Sequence, residues 1–398
     1  MKKNVTGYGA DNYNTNNGYV VIGLPCTISL ADDNSDGVNL RTGTYDLYTW
    51  SSTADLEWIN HGSSDNDGIP LALSRFHGFL YANQEGAELI FTGDIYGSGN
   101  NYQGNIFYTA PSEEHKFSDW NLIGNPFVCD AYLYGVSSTG LESTLSYYKM
   151  NDAGNGFEAV EGGTVIAPMQ GIFCQAPSGS YYYYIYFTRT APVAQSEGKL
   201  NMNLRSANKQ LDNAILVFGG DQQLGKMTFR ANSSKIFMPV EGKDYAITSV
   251  EGQVGEVPVS FVPEKNGTYT LSIDAENVEM GYLHLIDNMT DADIDLLATP
   301  SYSFNASTTD YESRFRLVFA TGDSMDGDTF GFVNGAGNLS IYGIEGEATL
   351  QVMDVNGRVL STETFSGSYE KSLNVAAGIY MLRLTNGDNV RVQKMIVK

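Results

Sequence analysis

Asp119-Trp120-Asn121-Leu122-Ile123-Gly124-Asn125-Pro126 is an apolar strand stopped by Gly and Pro, and the chain carries it twice. The earlier copy is Gly18-Tyr19-Val20-Val21-Ile22-Gly23-Leu24-Pro25. Apolar and β-branched residues suit a pleated surface, and Ile-Gly-x-Pro closes each run at a tight turn. Three further elements follow each copy in the same order. An aromatic strand, Tyr45-Asp46-Leu47-Tyr48-Thr49-Trp50, answers Leu145-Ser146-Tyr147-Tyr148-Lys149-Met150. A Gly-centred strand, His77-Gly78-Phe79-Leu80-Tyr81-Ala82, answers Gln170-Gly171-Ile172-Phe173-Cys174-Gln175-Ala176. A closing strand, Glu88-Leu89-Ile90-Phe91-Thr92, answers Tyr183-Tyr184-Ile185-Tyr186-Phe187-Thr188. Four elements in one order define an internal repeat. A duplicated β-module is expected at 17–190, with copies at about 18–93 and 119–188.

Residues 1–16 form a polar N-terminal segment. Met1-Lys2-Lys3 resembles the start of a signal peptide, but no apolar stretch follows it. Ala191-Pro192-Val193-Ala194-Gln195-Ser196-Glu197-Gly198 reads as a linker. Short strands between polar turns then predict a β-sandwich at 199–320, followed by a Gly- and Asp-rich linker at 321–334. At 335–398, Ala348-Thr349-Leu350-Gln351-Val352-Met353-Asp354 alternates, and Asn356-Gly357 marks a hairpin turn. A second hairpin turns at Asn386-Gly387-Asp388. No amphipathic helix of ten or more residues stands out. The fold class is therefore all-β: tandem β-sandwich-like domains with a small C-terminal immunoglobulin-like β-sandwich.

Composition narrows the partners. The 398 residues carry a net charge of −23, which repels phosphate backbones and argues against a nucleic-acid partner. No run approaches the ~18–20 apolar residues of a membrane span. Three cysteines, Cys26, Cys129 and Cys174, do not make a disulfide framework, and buried free thiols are their default reading. A Cys129–Cys174 bridge is the alternative in an oxidising compartment.

The last region resembles the type A sorting domain of the type IX (Por) secretion system of Bacteroidetes. The resemblance rests on Val352-Met353-Asp354-Val355-Asn356-Gly357-Arg358-Val359, on Ala376-Ala377-Gly378-Ile379-Tyr380-Met381-Leu382-Arg383-Leu384, and on Val392-Gln393-Lys394-Met395-Ile396-Val397-Lys398. Its motif residues here are Asp354, Gly357, Arg358, Gly378, Tyr380, Lys394 and Lys398. The family often opens with a Pro-Asn-Pro-like turn, where this chain has Gly337-Asn338-Leu339-Ser340. Trp120-Asn121-Leu122-Ile123-Gly124-Asn125-Pro126-Phe127 is similar to a segment found ahead of such domains in Bacteroidetes surface proteins. The resemblance implies export, with the type IX machinery and its surface processing protease as partners. It implies an extracellular or outer-membrane location, and a chain that is the C-terminal part of a longer protein.

No Gly-x-Ser-x-Gly elbow, HExxH or phosphate-binding Gly loop occurs, so no catalytic residues are assigned and the expectation is a non-catalytic protein. Structural or adhesive presentation at the surface is the favoured function, to a host or glycan ligand. A carbohydrate-binding accessory region of a larger exported enzyme is the alternative. No cofactor is implied apart from calcium. Asp32, Asn34 and Asp36, with Asp65 and Asp67, place oxygen ligands at alternate positions before a Gly, as calcium loops do. Neither loop has the closing Glu, so a plain polar turn is the stronger reading. In Tyr181-Tyr182-Tyr183-Tyr184, a strand sends alternate rings to opposite faces, which makes Tyr182 and Tyr184 candidates for stacking sugars. Phe79, Tyr81 and Trp50 share that ambiguity between stacking and packing. Asp323-Ser324-Met325 resembles a Bacteroidetes O-glycosylation sequence, with Ser324 as the acceptor.

Overall fold

The computed structural model describes residues 1–9, 18–30, 39–52, 54, 57–61, 71–97, 99–136, 142–151, 154, 156–179, 181–192, 197–207, 209–228, 233–251, 254–321, 331–333, 338–341, 344, 346–367, 369–387 and 389–397. The described residues build strands and contain no α-helix. The chain divides into two compact units. One comprises Met1–Val250, Phe261–Ser272 and Ser303–Asp310; the other comprises Glu251–Ser260, Ile273–Tyr302 and Tyr311–Lys398.

The first copy of the module contributes β1 (Lys2–Val5), β2 (Val20–Gly23), β3 (Ile28–Leu30), β4 (Tyr45–Trp50), β5 (Trp58–Asn60), β6 (Leu71–Leu73), β7 (Gly78–Asn83) and β8 (Ala87–Ile90). The second contributes β9 (Asn101–Phe107), β10 (Trp120–Gly124), β11 (Tyr132–Val136), β12 (Glu142–Thr144), β13 (Tyr147–Met150), β14 (Phe157–Val160), β15 (Gly171–Gln175) and β16 (Tyr182–Thr188). The main sheets run β2-β7-β4-β5 and β10-β15-β13-β14, the same order of equivalent strands. β1 lies antiparallel to β8 as β9 lies antiparallel to β16, so the correspondence extends to Lys2, into the polar N-terminal segment.

Each main sheet is apolar on both faces, for a reason visible strand by strand. In β7, Phe79 and Tyr81 point into a core beneath their own copy, with Ile22, Leu47 and Leu89. In β15, Ile172 and Cys174 do the same, with Ile123, Tyr147 and Phe187. The intervening Leu80 and Phe173 face a third core shared with Trp120, Tyr148, Ile215, Val217 and Ile247. Phe79 and Tyr81 are therefore packing residues, fully buried. Trp50 is half-buried, donates its indole N–H to Trp120 O at 2.7 Å and meets Phe173 edge-on.

The two copies meet at glycine. Ile22 bridges Gln170 and, reciprocally, Ile123 bridges His77. Gly23 N–H donates to Met169 O at 3.1 Å, and Gly124 N–H to Phe76 O at 2.6 Å. A Cβ on Gly124 would stand 2.2 Å from Gly23 Cα, closer than real atoms approach. Phe76 and Met169, at equivalent positions, both take positive φ, 81° and 60°.

The chain continues through β17 (Gly198–Ser206), β18 (Lys209–Phe218), β19 (Gln223–Gly225), β20 (Lys235–Val240), β21 (Lys243–Val250), β22 (Val254–Val262), β23 (Gly267–Glu276), β24 (Met280–Asp287), β25 (Ala292–Asp295), β26 (Ser301–Ala306) and β27 (Phe315–Thr321). In the first unit, β17 and β18 form a long hairpin, and β18 pairs parallel with β21. The shared core packs this sheet against the module, and Asn213 seals the edge by exchanging two hydrogen bonds with the Ala159 backbone, at 2.8 and 2.9 Å.

In the second unit, β24 pairs with β25 and β27, and β27 pairs with Val254–Val259 of β22. Asp287 ends β24 fully buried, against the guanidinium of buried Arg314 in a two-point pair at 3.0 and 2.8 Å. Tyr302 Oη and Met289 N–H also donate to it, at 3.1 and 3.0 Å. Burial alone would raise the carboxyl, but the Arg314 guanidinium, Met289 N–H and the Thr290 hydroxyl outweigh it and hold Asp287 below the ordinary carboxylate value.

The last strands are β28 (Gly331–Val333), β29 (Asn338–Ile341), β30 (Glu347–Asp354), β31 (Val359–Ser366), β32 (Tyr369–Ser372), β33 (Gly378–Asn386) and β34 (Asn389–Val397). Sheets β28-β29-β32 and β31-β30-β33-β34 enclose a core of Leu339, Ile341, Leu350, Val352, Leu382 and Leu384, giving the small C-terminal sandwich. Asp32, Asn34, Asp36, Asp65, Asp67, Ser324 and Lys398 lie outside the described residues.

Two stability measurements follow from these contacts. Gly124→Ala forces backbone apart at the junction and should cost about 1–3 kcal/mol or more, seen as a lowered thermal midpoint; an unchanged midpoint would contradict the close approach. Asp287→Asn should cost about 3 kcal/mol at pH 7 by leaving Arg314 buried without its partner. Because the folded pKa is depressed, this contribution is present above the unfolded carboxylate value and is lost as pH falls through the lower folded value. Denaturation curves of the two proteins should therefore converge below about pH 4, and a gap that stayed constant down to pH 2 would refute the assignment.

Candidate functional site

The sorting-type motif is assembled by the sheet β31-β30-β33-β34. Asp354, at the end of β30, faces Tyr380 of β33 across the ladder. Its carboxylate accepts the N–H groups of Asn356 and Arg358, each at 3.0 Å, and Arg358 Nε–H at 3.1 Å. The Asp-x-x-Gly-Arg spacing is thus a turn held from within: a carboxylate caps the turn's own amides. Gly357 sits at φ 80°, where a side chain would be strained. These hydrogen bonds, the one from Arg358 N–H first, hold Asp354 below its ordinary pKa. Tyr380 Oη donates to Ala376 O at 2.7 Å, anchoring the chain that enters β33. Gly378 opens β33 opposite Val397, and Lys394 stands exposed opposite Met381.

The inward face of this sheet fills the core. The outward face keeps apolar residues in water, with Ile379 44% and Val392 41% exposed, beside Arg383 and Lys394. Residues 335–398 hold six acidic and six basic residues, so the whole negative surplus of the chain lies upstream.

Two aromatic surfaces lie in the module unit. On β16, Tyr182 and Tyr184 point outward, 46% and 42% exposed. Their rings meet edge to face, 5.3 Å apart at 76°. The alternate residue Tyr183 turns inward and packs on the second copy's core.

The other surface is a cavity of about 250 Å³, which sequence reasoning did not find. Tyr19, Tyr48, Trp58 and Phe157 of the module form its aromatic wall. Gln210, Thr228, Ser233 and Glu264 give it polar groups, and Lys209, Lys226 and Lys235 bring three ammonium groups. Strands put each residue in place. Tyr48 lies on β4 with its ring 6.2 Å from Trp58, and Trp58 is wedged edge-on against Trp50 at 4.9 Å. Tyr19 N–H donates to Gly154 O at 3.2 Å, bringing the start of copy one onto copy two. Lys226 reaches buried Asp212 at 2.6 Å, and Asp212 also accepts Ile236 N–H at 2.7 Å. Burial pushes Asp212 up and Lys226 down; their mutual attraction opposes both shifts. The signal available in the sequence was Tyr19 and Tyr48 on neighbouring strands of one copy. The lysines come from a region more than 150 residues later.

All three cysteines are free, Cys26 and Cys174 buried and Cys129 exposed. Among the described residues, no cluster of three or more His, Cys, Asp or Glu could hold a metal ion. No helix among them is long and apolar enough to cross a membrane.

Residues 334–398 match the family described as the secretion system C-terminal sorting domain. Among solved structures, a biofilm associated protein, BSP domain, is similar at 9% identity, covering 100% of this chain and 95% of that one, with a TM-score of 0.19. A likeness that low carries no argument. No curated protein matches. The family match falls on the sandwich whose turn is capped by Asp354 and whose β33 is anchored by Tyr380, and it directs export to the cell surface or the extracellular space. Residues 334–398 therefore belong to the type IX secretion C-terminal sorting domains.

Proposed function

We propose that the chain is a non-catalytic surface protein whose upstream β-units present an adhesive or structural surface outside the cell. The observation that carries this is the sorting domain at 334–398. A domain whose task is passage through the outer membrane implies that the rest of the chain acts beyond it. The strongly acidic upstream surface supports a soluble, self-repelling body over one that binds nucleic acid or anionic lipid. The sequences Asp32–Asp36 and Asp65–Asp67, outside the described residues, carry oxygen ligands at alternate positions that suit calcium.

The second reading is a carbohydrate-binding accessory region of a larger exported enzyme. The exposed Tyr182 and Tyr184 rings and the aromatic cavity favour it. A catalytic domain in the same native polypeptide would separate the two readings.

Export has a direct measurement in the native host. Removal of residues 334–398 should leave the protein in the periplasm, while the full chain appears at the surface or in the medium by fractionation and immunoblot. Surface appearance of the shortened chain would end the proposal. The exposed face of the sorting sheet gives a finer test. Ile379→Glu with Val392→Glu adds charge where apolar groups meet water and should leave the thermal midpoint within about 1 kcal/mol equivalent of wild type. If that face touches the secretion machinery, the same variant should accumulate inside the outer membrane; normal export of the folded variant would show that the contact lies elsewhere.

A further inference from the structure

We propose that the cavity between the module's aromatic wall and the Lys209–Asp212 strand end is a binding site for an acidic saccharide. It rests on the surface-presentation reading and gives that reading a ligand. The cavity, at about 250 Å³, is just under the ~300 Å³ at which pockets for drug-sized ligands begin. That suits the end of a short glycan better than a long chain lying flat.

Three features select the chemistry. The wall of Tyr19, Tyr48, Trp58 and Phe157 offers ring surface to the C–H face of a sugar. Gln210, Thr228 and Ser233 line the cavity with amide and hydroxyl groups that suit sugar hydroxyls. The charge is the third feature. In a chain of net −23, the described residues lining this cavity bring together Lys209, Lys226 and Lys235 against Asp212 and Glu264. Asp212 is committed to Lys226 and to Ile236 N–H. Lys235 stands 5.1 Å over the Phe237 ring, and among the described residues neither it nor Lys209 has a carboxylate within ion-pair distance. Among the described lining residues the cations exceed the carboxylates by one, which suits a ligand with a single carboxylate. A polyphosphate or polyanion would have to approach through the acidic field of the rest of the unit; a singly charged sugar pays far less of that repulsion.

The site is also built in advance. Tyr148 Oη accepts Met227 N–H at 3.3 Å and donates to Gly225 O at 3.4 Å, fixing the segment that carries Lys226. Asn213 locks β18 to β14, and Trp58 is held by Trp50 and Phe173. Walls that need no rearrangement keep the cost of binding low. The Tyr182–Tyr184 pair lacks both the enclosure and the cations.

The experiment uses the full chain with a trisaccharide of two galactose residues ending in a single galacturonic acid, and a galactose trisaccharide as the neutral match, by titration calorimetry with tryptophan fluorescence in parallel. The acidic trisaccharide should bind, weaken with added salt, and lose roughly tenfold or more in affinity in the Lys209→Gln, Lys235→Gln double variant, since tenfold is about 1.4 kcal/mol. Lys209 is exposed and Lys235 half-buried, and glutamine keeps most of each stem, so the variant should stay folded with a thermal midpoint close to wild type. Tyr182→Ala with Tyr184→Ala should bind as wild type. The proposal is overturned by no binding of the acidic trisaccharide, by equal binding of the neutral one, or by loss of binding in the tyrosine variant instead of the lysine variant. Host fractionation reads export independently, so a protein that reaches the surface without binding removes the ligand and leaves the surface reading standing.

Discussion

Gly23 and Gly124 lie back to back, and no side chain fits between them. Everything in the module unit depends on that approach. Because the backbones touch, each copy can lend its edge to the other, with Ile22 bridged to Gln170 and Ile123 to His77. The two main sheets then act as one apolar face, and Leu80 and Phe173 on that face find partners in Ile215, Val217 and Ile247. A larger residue at either glycine would separate the sheets and leave that shared core without one of its walls. The aromatic cavity sits at its margin, so the same contact that joins the copies also brings Tyr19, Tyr48 and Phe157 to one place.

Charge is distributed with a similar economy. The chain is acidic, yet its deepest ionic contacts are paired: Asp287 with Arg314 in one unit, Asp212 with Lys226 in the other. A buried charge without a partner costs several kcal/mol, roughly 3–5 when one member is removed, so these pairs define positions where substitution is poorly tolerated. The sorting domain departs from the rest by balancing its acids and bases. Its turn uses Asp354 on its own backbone, which fixes a hairpin locally and leaves the outward face of the sheet to carry Ile379, Val392, Arg383 and Lys394.

Legibility in the sequence followed the range of the interactions involved. The sorting domain was readable because its turn chemistry is local: Asp354, Gly357 and Arg358 act within five residues. The repeat was readable from Ile-Gly-x-Pro and the strands after it, but β1 and β9 were not. Each is a polar edge strand with little inward apolar surface, Val5 in one and Tyr102 and Ile106 on either side of Gly104 in the other, which is too little to stand out as an alternating pattern in the sequence. Phe79 and Tyr81 could not be assigned to core or surface, since an aromatic strand buried on both faces reads the same as one offering rings to a ligand. Period-two alternation did place Tyr182 and Tyr184 outside and Tyr183 inside.

By itself the sequence determined the all-β class, the order of repeated strands and the identity of the last domain, because strand alternation, turn residues and a capped hairpin are written in neighbouring positions. Tertiary structure alone decided that the repeat glycines touch, that each main sheet has two buried faces, and that Lys209, Lys226 and Lys235 stand before Tyr19, Tyr48 and Trp58. Those juxtapositions join residues more than 200 positions apart, as Tyr19 and Lys235 are. They are set by which apolar faces find each other, and no local pattern of residues encodes that pairing.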